Sequence, residues 1–398
     1  EHEIMHTHTL DIIDTAYEGY GVGRISGKAV FVPFTVEGDN VTITIAEEKK
    51  KYSFGKLLKI NKYSHHRGEK YCRYIGECGG CLFGHIKYDS QLEIKEQIVK
   101  NAFRKLKNFK IDSILSKEPL NYRFRINMKV KNGEAGFLRH KSHDIVPVEE
   151  CPVMKPSLMN KINTIKGYTD KSEQGNIYVI ENEENKALLK TDCNFSDSTR
   201  EKLLNIFDGI STPAGTKGVK NIPVKSAFGT FYTGFDGFSQ SNRFLLGDFQ
   251  KTVADMIPDG SRLLELYAGS GFLTLAAAEK AKQIKAYEIA GESVKLAKKA
   301  DIPNAHFRKE DVDKNIFRIS APFDTILTNP SRKGMGKNVT EFIKRKKPES
   351  FIYVSCNPMT MSRDIHRIAE HYNIDKFVIL DMFPGTYHIE CIAKMSKK

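Results

Sequence analysis

The run Leu263-Leu264-Glu265-Leu266-Tyr267-Ala268-Gly269-Ser270-Gly271 constrains this chain more than any other stretch. An apolar segment of strand length runs straight into a glycine turn, and the pattern beyond it is helical. From about residue 238 the alternation of strand and helix continues. Strands are expected at 262–266, 284–289, 325–327, 351–354 and 377–382, and helices at 274–281 and 292–299. This alternation predicts a doubly wound, Rossmann-like α/β domain.

With 398 residues the chain is too long for one ordinary core. Three units are expected: 1–62, 63–235 and 236–398. In the first, Val22, Val30, Val32, Val41, Ile43 and Ile45 alternate with polar or small residues between glycine-rich turns. About five short strands in so small a span predict a β-barrel of the oligonucleotide-binding kind. Lys49-Lys50-Lys51, Tyr52, Phe54 and Lys56 mix charge with aromatic rings, as nucleic-acid surfaces do. The central unit reads as α+β. A helix is expected at 89–109, strands through 119–190 (including 122–131 and 136–148), a helix at 196–207 and a hairpin lead-in at 218–235.

Lys and Arg total 62 against 49 Asp and Glu, a net +13 that suits a polyanionic partner such as RNA. No run approaches the ~18 apolar residues of a membrane span. Glu1-His2-Glu3 opens polar with no apolar segment after it. A cytoplasmic protein without a membrane association is therefore expected, with thiols rather than disulfides.

Three of the seven cysteines, Cys72, Cys78 and Cys81, fall on one compact loop. Gly79 and Gly80 let that loop fold tightly, and Cys151 before Pro152 is the best fourth ligand. Four thiolates suit either an iron–sulfur cluster or a structural zinc.

In the α/β unit, Gly269 and Gly271 would let backbone approach a ligand. Glu288 lies 23 residues beyond Glu265, where a carboxylate can take a ribose hydroxyl pair. Asp311 follows the next apolar segment, in position to meet an adenine edge. Position 274 is threonine, so the full dinucleotide pattern G-x-G-x-x-G is absent. That favours S-adenosylmethionine over a nicotinamide cofactor. Gln240, in Phe238-Ser239-Gln240-Ser241-Asn242, offers an amide to cofactor or base.

Cys356, in Ser355-Cys356-Asn357-Pro358, ends a buried strand beside this pocket. A cysteine nucleophile next to a methyl donor points to methylation at carbon 5 of a pyrimidine. Carbon 5 of uracil is a poor nucleophile until a thiolate adds at carbon 6. A base must then remove the carbon-5 proton before the thiolate leaves. Glu390, two residues after His388, is the candidate base; on a strand the two would share a face.

Together these pieces resemble the RNA 5-methyluridine (uracil-C5) methyltransferase family, nearest to its bacterial 23S ribosomal RNA branch. The most specific match is Tyr353-Val354-Ser355-Cys356-Asn357-Pro358 with Thr360, Arg363 and Asp364, followed by Met382-Phe383-Pro384 leading to Glu390. The resemblance implies a TRAM domain at 8–60 and a [4Fe–4S] cluster on Cys72, Cys78, Cys81 and Cys151. It implies S-adenosylmethionine contacts at Gln240, Tyr267, Glu288, Asp311 and Asn329. It further implies a monomer acting on RNA, with 23S ribosomal RNA favoured and tRNA possible. Two positions depart from the family pattern: Asn329 stands where Asp is usual, and Phe272 where Asn is usual.

Two rivals remain. Asn329-Pro330 resembles the pair found in methyltransferases of exocyclic amines, a chemistry that needs no cysteine. The chain could also be an RNA-binding protein with a vestigial methyl-donor site.

Overall fold

The computed structural model describes residues 6–169, 174–237, 240–320 and 322–398. The polar opening at Glu1-His2-Glu3 and the Phe238-Ser239 part of the Gln240 segment lie outside the described residues.

The N-terminal unit is one curled six-stranded sheet. Its strands are Thr7–Asp11, Asp14–Ala16, Tyr20–Ile25, Lys28–Pro33, Asn40–Glu48 and Tyr52–Lys62. The alternation seen in the sequence buries Val30, Val32, Val41 and Ile43 inside the curl. Arg67 ties this unit to the next one. Its guanidinium grips the fully buried Asp39 through two 2.8 Å bonds.

The central unit holds a seven-stranded sheet. The strand expected at 136–148 is two strands, Glu134–Leu138 and Ile145–Pro147, paired antiparallel around a turn. A helix unforeseen from sequence, Pro156–Lys166, starts on its proline and buries Leu158, Met159, Ile162 and Ile165 against this sheet. The hairpin expected near 218–235 is Asn221–Ser226 with Gly229–Gly234.

The C-terminal unit is built on an eight-stranded sheet. Arg262–Leu266 lies at its centre, flanked in parallel by Gln283–Glu288 and Thr325–Thr328. Outward from Thr325–Thr328 come Ser350–Ser355 in parallel, then Glu390–Lys397 and Tyr372–Leu380, each antiparallel to its neighbour. Strand order reverses at Arg262–Leu266, which opens a crevice at the carboxyl ends of the strands. Ser350–Ser355 is buried on both faces, as its unbroken apolar run requires. Helix Pro358–Ile368 covers it with Met361, Ile365 and Ile368, spaced to share one face.

One expected boundary moves. Residues 63–235 do not form a single unit, because Ser113–Leu115 adds a parallel edge strand beside Tyr372–Leu380. Helix Tyr88–Phe103 buries Ile98, Val99 and Phe103 in the core of the C-terminal sheet with Phe377 and Ile365. The same face carries Gln91 and Lys95, fully buried where an amphipathic helix would normally place apolar residues. Among the described residues no helix is long and apolar enough to cross a membrane.

Candidate active site

A cavity of about 880 Å³ fills the crevice, lined along its length by Gln240, Tyr267, Glu288, Asn329, Cys356 and Glu390. Its two ends carry different chemistry.

At one end the glycine turn leaves the central strand. Tyr267, Gly269 and Gly271 all adopt positive φ (61°, 58° and 86°), so the chain doubles back before helix Phe272–Ala278. Glu288 at the end of the neighbouring strand accepts from the Gly269 amide at 2.9 Å and the Ala290 amide at 2.8 Å. Its carboxylate is thus fixed beside the turn, facing the cavity. Glu265 forms part of the floor; burial pushes its carboxyl up to about 8, and Thr274 Oγ1 donates to it at 2.7 Å.

Asp311 does not reach the cavity. As the N-cap of the short helix that follows, it accepts from the Lys314 amide and pairs with the Lys314 ammonium. Two residues on, Asp313 faces the cavity instead, accepting from the Tyr267 hydroxyl at 2.8 Å and the Gly336 amide at 3.1 Å. Phe272 is largely a core residue, packed edge-on to Phe231 and Phe249.

At the other end, ladder geometry sets the pair. Ser355 lies opposite Cys391. The next residues outward, Cys356 and Glu390, therefore meet at the mouth of the two strands. Asn357 caps the following helix, its Oδ1 accepting from the Met359 and Thr360 amides, and Pro358 takes the first helical position. Cys356 is half-buried and is fixed between strand end and cap. Burial and then the nearby Glu390 charge raise its thiol to about 11, against the pull of Arg332. Glu390 is almost fully buried, and burial raises its carboxyl to about 8.

Arg332 is the residue whose role the sequence left unassigned. Its backbone carbonyl accepts from Asn357 Nδ2 and Thr360 Oγ1, both at 3.2 Å, which pins it to the cap after Cys356. Its guanidinium meets His388 Nε2 at 3.2 Å. Arginine can only donate, so Nε2 accepts and the proton sits on Nδ1. Burial, reinforced by Arg332, pushes His388 down to about 3 and keeps it neutral. The last strand begins only at Glu390, so His388 lies in a loop, not on a strand face; both still line the cavity. The signal for Arg332 was its place three residues after Asn329 in Asn-Pro-Ser-Arg.

The loop before Glu390 is held by segments almost 300 residues earlier in the chain. Lys95 Nζ donates to Asp381 Oδ1 at 2.5 Å and to the Phe383 carbonyl at 3.1 Å. The Tyr122 hydroxyl donates to the Pro384 carbonyl. Gln91 accepts from the Gly385 amide, and the Phe83 amide donates to the Gly385 carbonyl. The buried polar face of helix Tyr88–Phe103 thus exists to grip this loop.

Beside that loop lie the clustered cysteines, all four with free, half-buried thiols. Burial raises Cys78 to about 11 and Cys151 to about 12, and the neighbouring thiols push both further. Among the described residues no three Cys, His, Asp or Glu side chains converge closely enough to hold a metal ion. The donor set, four thiols without carboxylate or imidazole, has the chemistry of a four-thiolate centre.

Comparison with known proteins agrees with this architecture. The TRAM domain family model matches residues 6–58, and that of tRNA (Uracil-5-)-methyltransferase matches residues 303–398. An RNA methyltransferase of Aquifex aeolicus without a characterised target is 28% identical, covering 98% of each chain. The 23S rRNA (uracil(1939)-C(5))-methyltransferase RlmD of Shewanella woodyi is 25% identical over 97% of this chain and 95% of its own. The crystal structure of Pyrococcus abyssi tRNA (uracil-54, C5)-methyltransferase with S-adenosyl-L-homocysteine shares the fold. Its TM-score is 0.80 at 24% identity, over 97% of this chain and 99% of its own. The chain thus carries a TRAM match at its start and a tRNA (Uracil-5-)-methyltransferase match at its end, and over nearly its whole length it is similar to RNA methyltransferases.

Proposed function

We propose that the protein methylates carbon 5 of a specific uridine in RNA, using S-adenosylmethionine, with Cys356 as nucleophile and Glu390 as base. The observation that supports this most is the single cavity running from the glycine turn and Glu288 to Cys356 and Glu390. When bound, S-adenosylmethionine supplies an electrophilic methyl group. Gln240, Tyr267, Gly269, Glu288 and Asn329 line the end that would hold it, with Asp313 in the place expected of Asp311.

Cys356 Sγ adds to carbon 6 of the ring, giving an enolate whose carbon 5 becomes nucleophilic. Arg332 stabilises the thiolate by its charge. After carbon 5 is alkylated, Glu390 takes its proton, the carbon–sulfur bond breaks, and the thiolate returns. The target base must leave its stack to reach Cys356. A reading in which an exocyclic amine is methylated gives neither Cys356 nor Glu390 a task.

The substrate we favour is 23S ribosomal RNA, with tRNA the alternative, and the enzyme works as a cytoplasmic monomer. Cys72, Cys78, Cys81 and Cys151 would carry a [4Fe–4S] cluster, whose role would be to hold the central domain together.

The test is a trap. RNA containing 5-fluorouridine cannot lose fluorine as a proton, so the adduct persists on a denaturing gel. An adduct that disappears in Cys356→Ala supports the reading, and sequencing the trapped RNA identifies the site. No adduct, with cofactor and RNA binding intact, would overturn it.

A further inference from the structure

We propose that Tyr17, carried by the barrel, and Tyr387, carried by the loop before Glu390, form a stacking subsite for an RNA base beside the target uridine. This rests on the RNA-methylating function proposed above and names a piece of substrate recognition within it.

Tyr17 and Tyr387 meet edge-to-face, with centroids 5.5 Å apart and planes at 83°. Tyr387 lies 4.2 Å from the His388 ring, and His388 lies 5.6 Å from Phe383. His388 and Phe383 line the catalytic cavity. Four rings therefore run without a break from the barrel to the cavity wall. Both tyrosines are half-buried, so part of each remains open to a ligand. The Arg332 charge reaches both of them, as well as Cys356.

The barrel turn that delivers Tyr17 is built, not incidental. Glu18 adopts φ 74°, a region that costs a residue with a side chain, and Gly19 follows at φ 85°. A Cβ at Gly19 would come within 3.1 Å of Leu82 Cβ on the cysteine loop. The turn is pressed against that loop, and Tyr17 is thereby held against Tyr387, two rings from the cavity wall. Extruding a uridine leaves its neighbours without a stacking partner. Aromatic faces near a cation are the usual replacement in single-stranded RNA recognition. The net charge of +13 suits a polyanionic partner for the protein as a whole.

The experiment uses full-length protein and the RNA retained by the 5-fluorouridine trap, remade with 2-aminopurine on either side of the target uridine. Tyr17→Ala should raise KM for that RNA about tenfold, within the range for loss of one base–aromatic stack. It should also abolish the quenching of one 2-aminopurine, while S-adenosylmethionine affinity holds. Tyr17→Phe should restore both KM and quenching, since the ring and not the hydroxyl is required. If Tyr17→Ala leaves KM and quenching as in the parent, or if Tyr17→Phe is as damaging as Tyr17→Ala, the subsite is wrong while the methylation reading stands. If Tyr17→Ala also lowers S-adenosylmethionine affinity, Tyr17 acts through the fold and the proposal fails. If the parent protein traps no RNA, the methylation reading falls and takes the subsite with it.

Discussion

Cys356 and Glu390 face each other one step beyond the last ladder pair, Ser355 with Cys391. Strand register holds the two side chains together. In the proposed mechanism the pair divides the chemistry, with Cys356 beginning the reaction and Glu390 ending it. Glu390→Gln should therefore leave addition intact and block release. With ordinary uridine RNA and S-adenosylmethionine, this variant should accumulate a methylated covalent adduct on a denaturing gel. Turnover should fall by at least ~100-fold, the lower end of what a general base contributes. Turnover near the parent rate would remove Glu390 from the mechanism.

Burial raises Glu390 to about 8. The free enzyme at neutral pH therefore holds it mostly protonated, and release of the adduct should speed up as pH rises through about 8. A stability effect has the opposite sign. The unfolded chain ionises this carboxyl near its ordinary value, about 4.3, and the folded chain only near 8. Between those values the folded state binds the extra proton, so stability present below about 4.3 is lost as pH rises towards 8. Glu390→Gln should melt higher than the parent at pH 8 by several degrees, with the gap closing towards pH 5. Equal gaps at both pH values would mean that Glu390 is not a raised carboxyl.

Arg332 is the cation that opposes the upward shift of Cys356. Arg332→Met should push the thiol higher still, so alkylation of Cys356 by iodoacetamide at pH 8.5 should slow several-fold. Arg332→Lys should recover part of the rate, because a point charge replaces the charge but not the planar contact with His388. Peptide mapping of the alkylated cysteine measures both. An unchanged rate in Arg332→Met would assign thiolate stabilisation elsewhere.

Much of this site was legible because it is local. The strand ending at Cys356, the cap formed by Asn357 and Pro358, and the turn through Gly269 each lie within a few residues. Their patterns follow from burial and backbone preference alone. Asp311 and Asp313 were not separable, because a short helix begins between strand and cavity and takes Asp311 as its cap. The segment 136–148 read as one strand because Phe137, Ile145 and Val146 are apolar, while the turn between Leu138 and Ile145 holds no proline or glycine. Gln91 and Lys95 were invisible for another reason. Their partners lie almost 300 residues away in sequence, and only the packed fold turns two polar residues on a helix into a clamp.

Lys95 and Asp381 make that clamp testable. The pair is completely buried, and Asp381 also accepts from the Tyr88 hydroxyl at 2.8 Å. Two desolvated charges contribute little to stability as a pair, but removing one strands the other. Lys95→Met should therefore cost about 3–5 kcal/mol, read as a lowered melting temperature or denaturant midpoint. Lys95→Met combined with Asp381→Leu should recover most of that loss, since no uncompensated charge remains. Recovery of stability should not bring recovery of activity. The Phe383 carbonyl would keep its bonds from Thr386 but lose the one from Lys95 that ties it to helix Tyr88–Phe103, and the loop leading to Glu390 would be looser. A double variant both stable and fully active would show that the ion pair serves folding alone; stable but slow in adduct release would show that it also positions the base.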